Sequence, residues 1–552
     1  MPALPFPAGA DKAADTHNGP WRYDCQNSIP HASIELTFRS ATNSKMAKKR
    51  KNKKLNAPQI FLLTALVGAV VALLIQLASN LAPTTRIPGV DDSRLVEAAA
   101  EGDANAVASL LAEGISANSR AGDNSAALHW AANLNDATMA SALIAAGADV
   151  NLTNDLGVSA LWLAAENGSA ELAELLLDAK ANPDLPLPSG ETPLMMAARS
   201  GNDRLVQLLI DHGADLNAKE AAQQQTALMW AASERHANVV KTLLTAGADW
   251  QSRTATWNEV VQPAGAIPAI RDAIYEVVQG GYTALLFAAQ QGDVAVARHL
   301  LEAGADVNDR TAAGATALVL ASHSGHSELA RLLLEQGADP NLMGAGYSAL
   351  HVAIPHRLLA LVSALIEHGA DVNALVLSPS PERRDSRDHA IREQLVGTTP
   401  FWIAAHYRQT AILQALLAAG ADPSFTLASE DTLMMLAIDG RDAFFKEQTR
   451  GIVDPGAGEQ QALELIEYAL KMGIDINARN RNGDTALHKA AGRGYDKVVS
   501  YLAAHGAELE AANNRGMTPL ANAMRLRGRG VGQSEASNET TEQLLRSLGA
   551  TL

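Results

Sequence analysis

Between Gly314 and Asn341, the hydrophobic and polar positions predict two short helices separated by a glycine. Thr316 stands where the first helix should begin, and its hydroxyl is typical of an N-cap. The apolar spacing from Leu318 to Ser322 gives one short stripe, and the spacing from Leu329 to Leu333 gives a longer one. Gly337 follows the second stripe, as expected of a left-handed C-cap. Two such helices cannot bury their shared apolar face alone, so the pattern predicts neighbours of the same kind.

Capping glycines repeat along the chain and mark about twelve such units. Of the eleven steps between markers, five are 33 residues, two lie within one residue of that value, and four are longer. At position 180 a lysine occupies the glycine place, which should cost about 1 kcal/mol if the left-handed turn is kept. The markers are Gly114, Gly147, Lys180, Gly213, Gly247, Gly304, Gly337, Gly369, Gly420, Gly473, Gly506 and Gly549.

This period of 33, together with a T-P-L-H-x-A-A motif, resembles the ankyrin repeat. Parts of the motif occur at residues 192–194, 349–351 and 485–488, and Gly-Ala-Asp-Val-Asn recurs at 147–151, 304–308 and 369–373. The resemblance covers roughly residues 91–552. It implies an all-α, helix-turn-helix solenoid of about twelve repeats, with protein binding as its expected activity. A fold of this kind does not by itself identify a partner.

Charge is distributed unevenly along the 552 residues. Residues 1–57 hold 10 Lys and Arg against 4 Asp and Glu, whereas the remaining chain holds 34 against 56. An acidic repeat array argues against nucleic-acid binding, which requires Lys and Arg to displace counterions. An acidic surface also serves solubility, and that interpretation stays open. The only cysteine is Cys25, so the repeats cannot bind zinc through thiolates.

The amino-terminal region predicts a membrane anchor. Residues 1–57 are expected to be a disordered basic cytoplasmic arm, and a second start at Met46 raises the hypothesis that residues 1–45 are a start-site artefact. Residues 58–82 contain an uncharged apolar run long enough for a transmembrane signal anchor, followed by a linker at 83–90. The preceding lysines predict repeats outside the cytoplasm, periplasmic in a Gram-negative cell. A cleavable signal peptide is the alternative.

Four insertions interrupt the predicted solenoid of residues 91–552. Those near 251–279 and 375–396 fall between units and should lengthen the β-turn fingers. The first contains Trp257 and an amphipathic stretch from Ile267 to Val278. Those near 442–460 and 525–540 fall between the two helices of one unit, and should emerge at the opposite edge.

The sequence contains no recognisable catalytic signature: it has no P-loop, HExxH, G-x-S-x-G or dinucleotide fingerprint. We therefore expect no enzyme activity, no cofactor, no metal site and no small-molecule substrate. His129, His351 and His488 occupy the histidine of T-P-L-H, where the imidazole is expected to brace neighbouring units.

Aromatic and sulfur-containing residues replace that histidine in several units. Trp162, Met195, Met229 and Trp402 stand there, and we predict that they line the groove and bind a protein. The other interpretation is that they shield the core. The following position holds Trp130, Met196, Trp230 and Phe287, which we assign to core packing. Trp250, Trp257 and Tyr275, in or beside the first insertion, complete the predicted protein-binding residues.

The predicted function is therefore a membrane-tethered scaffold that binds one or more proteins on its concave groove and fingers, without catalysis. The resemblance also points to bacterial ankyrin-repeat proteins exported to the periplasm. Two alternatives stay open: a structural, self-associating envelope protein, and an enzyme whose site lies in the insertions.

Overall fold

A computed structural model describes residues 93–261, 275–380, 391, 395–423, 429–439, 457–526 and 535–551. Within these ranges the chain forms 24 α-helices, arranged as twelve pairs, and one β-hairpin. We number the helices in chain order, so that odd numbers are the first helices of the repeats and even numbers are the second. The twelve pairs confirm the repeat count that the capping glycines predicted.

The first helices are α1 (Arg94–Ala100), α3 (Ala127–Asn133), α5 (Ala160–Glu166), α7 (Pro193–Ser200), α9 (Ala227–Ser233), α11 (Ala284–Gln291), α13 (Ala317–His323), α15 (Ala349–Ala353), α17 (Pro400–His406), α19 (Leu433–Asp439), α21 (Ala486–Arg493) and α23 (Pro519–Leu526). The second helices are α2 (Ala104–Ala112), α4 (Ala137–Ala145), α6 (Ala170–Asp178), α8 (Asp203–Asp211), α10 (Ala237–Thr245), α12 (Val294–Glu302), α14 (Ser327–Glu335), α16 (Leu359–Glu367), α18 (Thr410–Ala418), α20 (Ala457–Lys471), α22 (Asp496–Ala504) and α24 (Glu535–Ser547). A 3₁₀ turn, Ile354–His356, extends α15.

Local sequence signals set the helix ends. The Thr316 hydroxyl accepts a hydrogen bond from the Val319 N–H at 3.2 Å, which caps α13 as predicted. Gly325 and Gly337 have φ values of 78° and 87°, so both helices of this repeat end in left-handed turns. Lys180 adopts the same turn with φ of 72°, which confirms that its repeat keeps the turn without glycine.

Each repeat stacks on the next, and a single apolar core runs through the stack. First helices pack against the first helices of neighbouring repeats, and second helices against second helices. The core is built mainly of Ala and Leu and extends from Leu95 to Ala550. Small side chains let these short helices approach closely, and each repeat depends on its neighbours for burial.

The turns between repeats, called fingers here, are joined by backbone hydrogen bonds. The Ala255 N–H donates to the Gln223 carbonyl, and the Ala312 N–H donates to the Gly280 carbonyl. An asparagine ladder adds a second link: Asn341 donates to the Gly369 carbonyl at 2.9 Å and accepts from the Asp371 N–H at 2.7 Å. Asn151 and Asn373, which end two of the Gly-Ala-Asp-Val-Asn motifs, make the same pair of bonds, so this asparagine ties one finger to the next.

The insertion near 251–279 forms an antiparallel hairpin of strands β1 (Thr256–Val261) and β2 (Tyr275–Gly280). The sequence indicated only an amphipathic stretch at Ile267–Val278, and its last residues are part of β2. Both ends of the hairpin are held by the finger bonds of Ala255 and Gly280. Residues 381–390, 440–456 and 527–534, in the other three predicted insertions, lie outside the described residues.

The predicted membrane topology is corrected. Among the residues that the structure describes, no helix combines the length and the apolar character that a membrane span requires. This finding contradicts both the transmembrane helix placed before the solenoid and the single-pass localisation. The segments 1–57, 58–82 and 83–90 on which that prediction rested lie outside the described residues.

The concave groove as candidate functional site

Three histidines brace neighbouring repeats, as the sequence predicted. In His351, Nδ1 accepts a hydrogen bond from the Ser348 N–H at 3.1 Å, and Nε2 donates to the Ala374 carbonyl at 3.0 Å. His129 and His488 make the equivalent contacts with their own N-cap N–H and with the next finger. Burial lowers the pKa of all three, that of His351 to about 4, so the neutral imidazole is the bracing form.

Four of the predicted protein-binding residues occupy this same bracing position and are buried. The exposed fractions are 7% for Trp162, 0% for Met195, 2% for Met229 and 4% for Trp402. The indole N–H groups of Trp162 and Trp402 are buried and donate no hydrogen bond to any residue that the structure describes. These side chains belong to the apolar core of the stack. Whether they contribute to partner binding stays a prediction.

The next position on the first helices holds an apolar side chain that is partly exposed in four repeats. Trp130, Trp230, Leu320 and Leu436 pack against the core on one side and remain partly exposed on the other. The prediction that this position is core is confirmed for Met196 and Phe287, which are buried, and in part for Trp130 and Trp230, which pack against the core and keep some exposed surface. One residue turns a helix by about 100°, because an α-helix has 3.6 residues per turn. Since the bracing position points at the next finger, the position after it turns toward the groove.

The fingers form the other wall of the groove. Tyr282, at the base of a finger, packs on Phe287 of α11 with ring centroids 5.2 Å apart. Trp250 and Trp257, both predicted binding residues, lie on fingers and are partly exposed. The backbone of Tyr275, the last of the predicted set, begins β2. On the outer face of the hairpin, Val260 is 61% exposed and Val278 is 45% exposed.

Two consecutive repeats carry a polar side chain one helical turn after the position of Trp130 and Trp230, and they lie between the repeats that hold these tryptophans. One residue from each of α3, α5, α7 and α9 forms what we call the groove row: Trp130, Glu166, Arg199 and Trp230. The Arg199 guanidinium lies over the Trp230 ring, 5.7 Å from its centroid, in a cation–π contact. A Trp and a cation are thus already in contact on the groove wall.

Two carboxylates, that of Glu166 in this row and that of Glu191 beside it, are only half exposed. Burial raises the pKa of Glu166, and the positive charge of Arg199 opposes that rise. Burial also raises the pKa of Glu191; the nearby Glu220 and Glu166 add to that rise, and Arg199 again opposes it. Neither carboxylate accepts a hydrogen bond or forms an ion pair with any residue that the structure describes. Glu220 differs, because the N–H groups of Ala222, Gln223 and Gln225 bind its carboxylate.

This part of the array is the more acidic part. Residues 93–261 hold 9 Lys and Arg against 21 Asp and Glu, a formal charge of −12, whereas residues 275–552 hold 23 against 32, a charge of −9. Within the described residues, no group of three or more His, Cys, Asp or Glu is arranged to hold a metal ion.

Curated relatives match short parts of this chain. Protein phosphatase 1 regulatory subunit 27 from Mus musculus is 40% identical over 57 residues, which are 10% of this chain and 37% of that protein. A B-cell lymphoma 3 protein homolog, also from Mus musculus, is 28% identical and covers 31% of this chain and 38% of its own. Alpha-latroinsectotoxin-Lt1a from Latrodectus tredecimguttatus is 28% identical over 22% of this chain and 7% of its own. The chain therefore spans well under half the length of these relatives.

A solved structure, the human ASB11 ankyrin repeat domain, aligns with 46% of this chain and 100% of its own at 26% identity, with a TM-score of 0.36. The family model for ankyrin repeats in three copies matches residues 95–186, 163–254, 285–376 and 457–544, and the model for a single ankyrin repeat matches 396–426. These matches cover more than half of the chain. Ankyrin repeats are typically non-catalytic modules that bind proteins, and this chain belongs to the ankyrin-repeat family.

Proposed function

We propose that this chain is a scaffold without catalytic activity that binds one or more proteins in its concave groove and at its fingers. The observation that carries the proposal is a set of apolar side chains that remain partly exposed at the same position of four first helices, α3, α9, α13 and α19. Trp130, Trp230, Leu320 and Leu436 belong to it. Exposed aromatic and aliphatic groups on a rigid, concave wall are suited to anchoring a partner.

The stack is suited to this task because it is ordered before a partner arrives. Finger bonds, the asparagine ladder and the three histidine braces hold adjacent repeats together. A preformed surface loses little conformational freedom on binding, so more of the contact energy appears as affinity. Solenoids of this kind present extended concave surfaces for partners.

The predicted binding residues divide into two roles within this proposal. Trp250, Trp257 and Tyr275 are proposed to contact the partner from the fingers, together with the exposed Val260 of the hairpin. Trp162, Met195, Met229 and Trp402 are proposed to support the groove wall from behind, because little of their surface is exposed. The relative named as a regulatory subunit of protein phosphatase 1 is, by its name, part of a protein assembly, which favours binding over catalysis for similar repeats.

Site-specific photo-crosslinking in the native cell tests the proposal. The full chain would carry p-benzoylphenylalanine at Trp230 in the groove, at Val260 on the hairpin, or at Gln207, which is exposed on the second helix α8. We expect discrete adducts with another protein from the first two positions and none from Gln207. Adducts from Gln207 alone would contradict groove binding. Adducts between two copies of this chain would support self-association instead.

A further inference from the structure

We infer that the groove between Trp130 and Trp230 selects a partner segment that presents an arginine or lysine side chain. This inference rests on the proposed function and specifies the chemistry of the partner. The juxtaposition that carries it consists of the two half-buried carboxylates of Glu166 and Glu191 and the two partly exposed tryptophans.

The carboxylates have unused capacity to bind a cation. Neither has a hydrogen-bond donor or an ion-pair partner among the described residues, although both have lost part of their hydration. A partly buried carboxylate without a hydrogen-bonding partner is unfavourable, because it has lost part of its hydration and only the more distant charge of Arg199 compensates it. A cationic side chain from a partner would supply the missing charge and up to several hydrogen bonds.

Arg199 does not fill this role. Its guanidinium lies over the Trp230 ring, and no ion pair joins it to Glu166 or Glu191 within 4.0 Å. Counting Glu166, Glu191, Glu220 and Arg199, this part of the groove keeps a formal charge of −2 at neutral pH. One or two basic side chains would balance that charge.

The tryptophans favour an organic cation. Trp130 and Trp230 present indole rings at the two ends of the groove row, and Trp is the best cation–π partner among the aromatic side chains. The contact of Arg199 with Trp230 shows that a guanidinium is accommodated on this wall. Two carboxylates without a third ligand, flanked by apolar rings, suit a guanidinium or ammonium group better than a metal ion.

The net charge of the surrounding repeats favours the same kind of partner. Residues 93–261 carry a formal charge of −12, so a basic segment is attracted to these repeats from a distance. An acidic segment would meet repulsion from the same charges. Complementary charge of this kind contributes to association rate and to partner choice.

Selection of displayed peptides on the purified full chain tests the inference. A random 12-residue library would be selected for binding, and the enriched peptides would be synthesised and titrated by fluorescence anisotropy. We expect an excess of Arg and Lys over the starting library. The double variant Glu166→Gln/Glu191→Gln should weaken binding roughly tenfold. The matched variant Glu171→Gln, which removes an exposed carboxylate from the second helix α6, should leave affinity unchanged.

The outcomes separate this inference from the proposed function. If Trp230→Ala abolishes binding but the peptides show no basic excess and ignore the double variant, the groove binds proteins and the inferred chemistry is wrong. If Trp230→Ala and the double variant both leave affinity unchanged, the peptides bind outside this part of the groove and the inference fails, whereas the proposed function, which includes the fingers, is decided by the crosslinks from Trp230 and Val260. If the peptides bind only after deletion of residues 45–54, the chain's own basic run is the occupant, and the inference of an external partner is overturned.

Discussion

Repeats 3 and 8 have the same helix-turn-helix form but hold it with different contacts. Repeat 8 carries His351 in α15 and ends its second helix at Gly369, so it follows the family pattern at both places. Repeat 3 carries Trp162 in α5 and Lys180 at the turn, and departs from the pattern at both. Both residues of the bracing position are buried, but only His351 links its repeat to the next finger by hydrogen bonds.

The difference shows which features of the repeat are indispensable. Stacking of apolar first helices is common to both repeats, so burial can maintain the fold where the histidine is absent. The histidine also fixes the orientation of one repeat relative to the next, because one ring nitrogen bonds the N-cap of its own repeat and the other bonds the next finger. Repeat 3, which lacks the brace, keeps its position through packing, finger bonds and the asparagine ladder, and leaves a buried indole N–H without an acceptor among the described residues.

Removing the brace in repeat 8 should give the largest effect. In His351→Ala, the Ser348 N–H and the Ala374 carbonyl lose their partner and a buried ring is replaced by a cavity. We expect the free energy of unfolding to fall by about 3 kcal/mol. Urea denaturation measures the loss, and hydrogen exchange should place it in α15 to α17, because repeats contact only their neighbours.

His368→Ala is the matched control for that variant. The His368 ring is exposed and bonds only the Ala364 carbonyl of its own helix. Its removal should change stability by less than about 0.5 kcal/mol. Equal losses in the two variants would show that the brace contributes nothing specific.

Lowering the pH should weaken the His351 brace without a mutation. Burial lowers the pKa of His351 from its ordinary value of 6.5 to about 4. The unfolded chain therefore binds a proton first as pH falls, so stability is full above pH 6.5 and is lost progressively down to about pH 4. Between pH 7 and pH 5 we expect this residue alone to account for a loss of about 2 kcal/mol. Urea midpoints at both pH values measure it, and an equally steep loss in His351→Ala would refute the assignment.

A glycine at the turn of repeat 3 should make the protein more stable. Lys180 holds φ of 72°, a conformation that a side chain makes unfavourable. Lys180→Gly should raise the free energy of unfolding by about 1 kcal/mol. Gly369→Ala in repeat 8 is the reverse substitution. Gly369 has φ of 85° and no atom lies within 4 Å of an added Cβ, so backbone strain alone should lower the free energy of unfolding by a similar amount. Thermal denaturation of the two variants measures both changes. Changes of the same sign would contradict this explanation.

The sequence predicted those features of repeats 3 and 8 that depend on local signals. Caps such as Thr316 and turns such as Gly337 act within a few residues, so the twelve units could be located from spacing alone. How much of Trp162 and Trp230 is exposed depends on how each helix is rotated against the neighbouring finger, which is a tertiary property. The sequence therefore did not predict that Trp230 packs on the core and also keeps an exposed side. Strand β2 was missed for a related reason, since its pairing with β1 joins residues far apart in sequence.

The asparagine ladder should contribute the same small amount to the free energy of unfolding in repeats 3 and 8. Asn151 donates to the Lys180 carbonyl at 3.2 Å and accepts from the Asn182 N–H at 2.7 Å, just as Asn341 serves the turn of repeat 8. Both side chains are exposed, so water can replace part of each lost bond. We expect Asn151→Ala and Asn341→Ala to lower the free energy of unfolding by about 0.5 to 1 kcal/mol each. A much larger loss at Asn151 would mean that repeat 3, without its histidine, depends on the ladder instead.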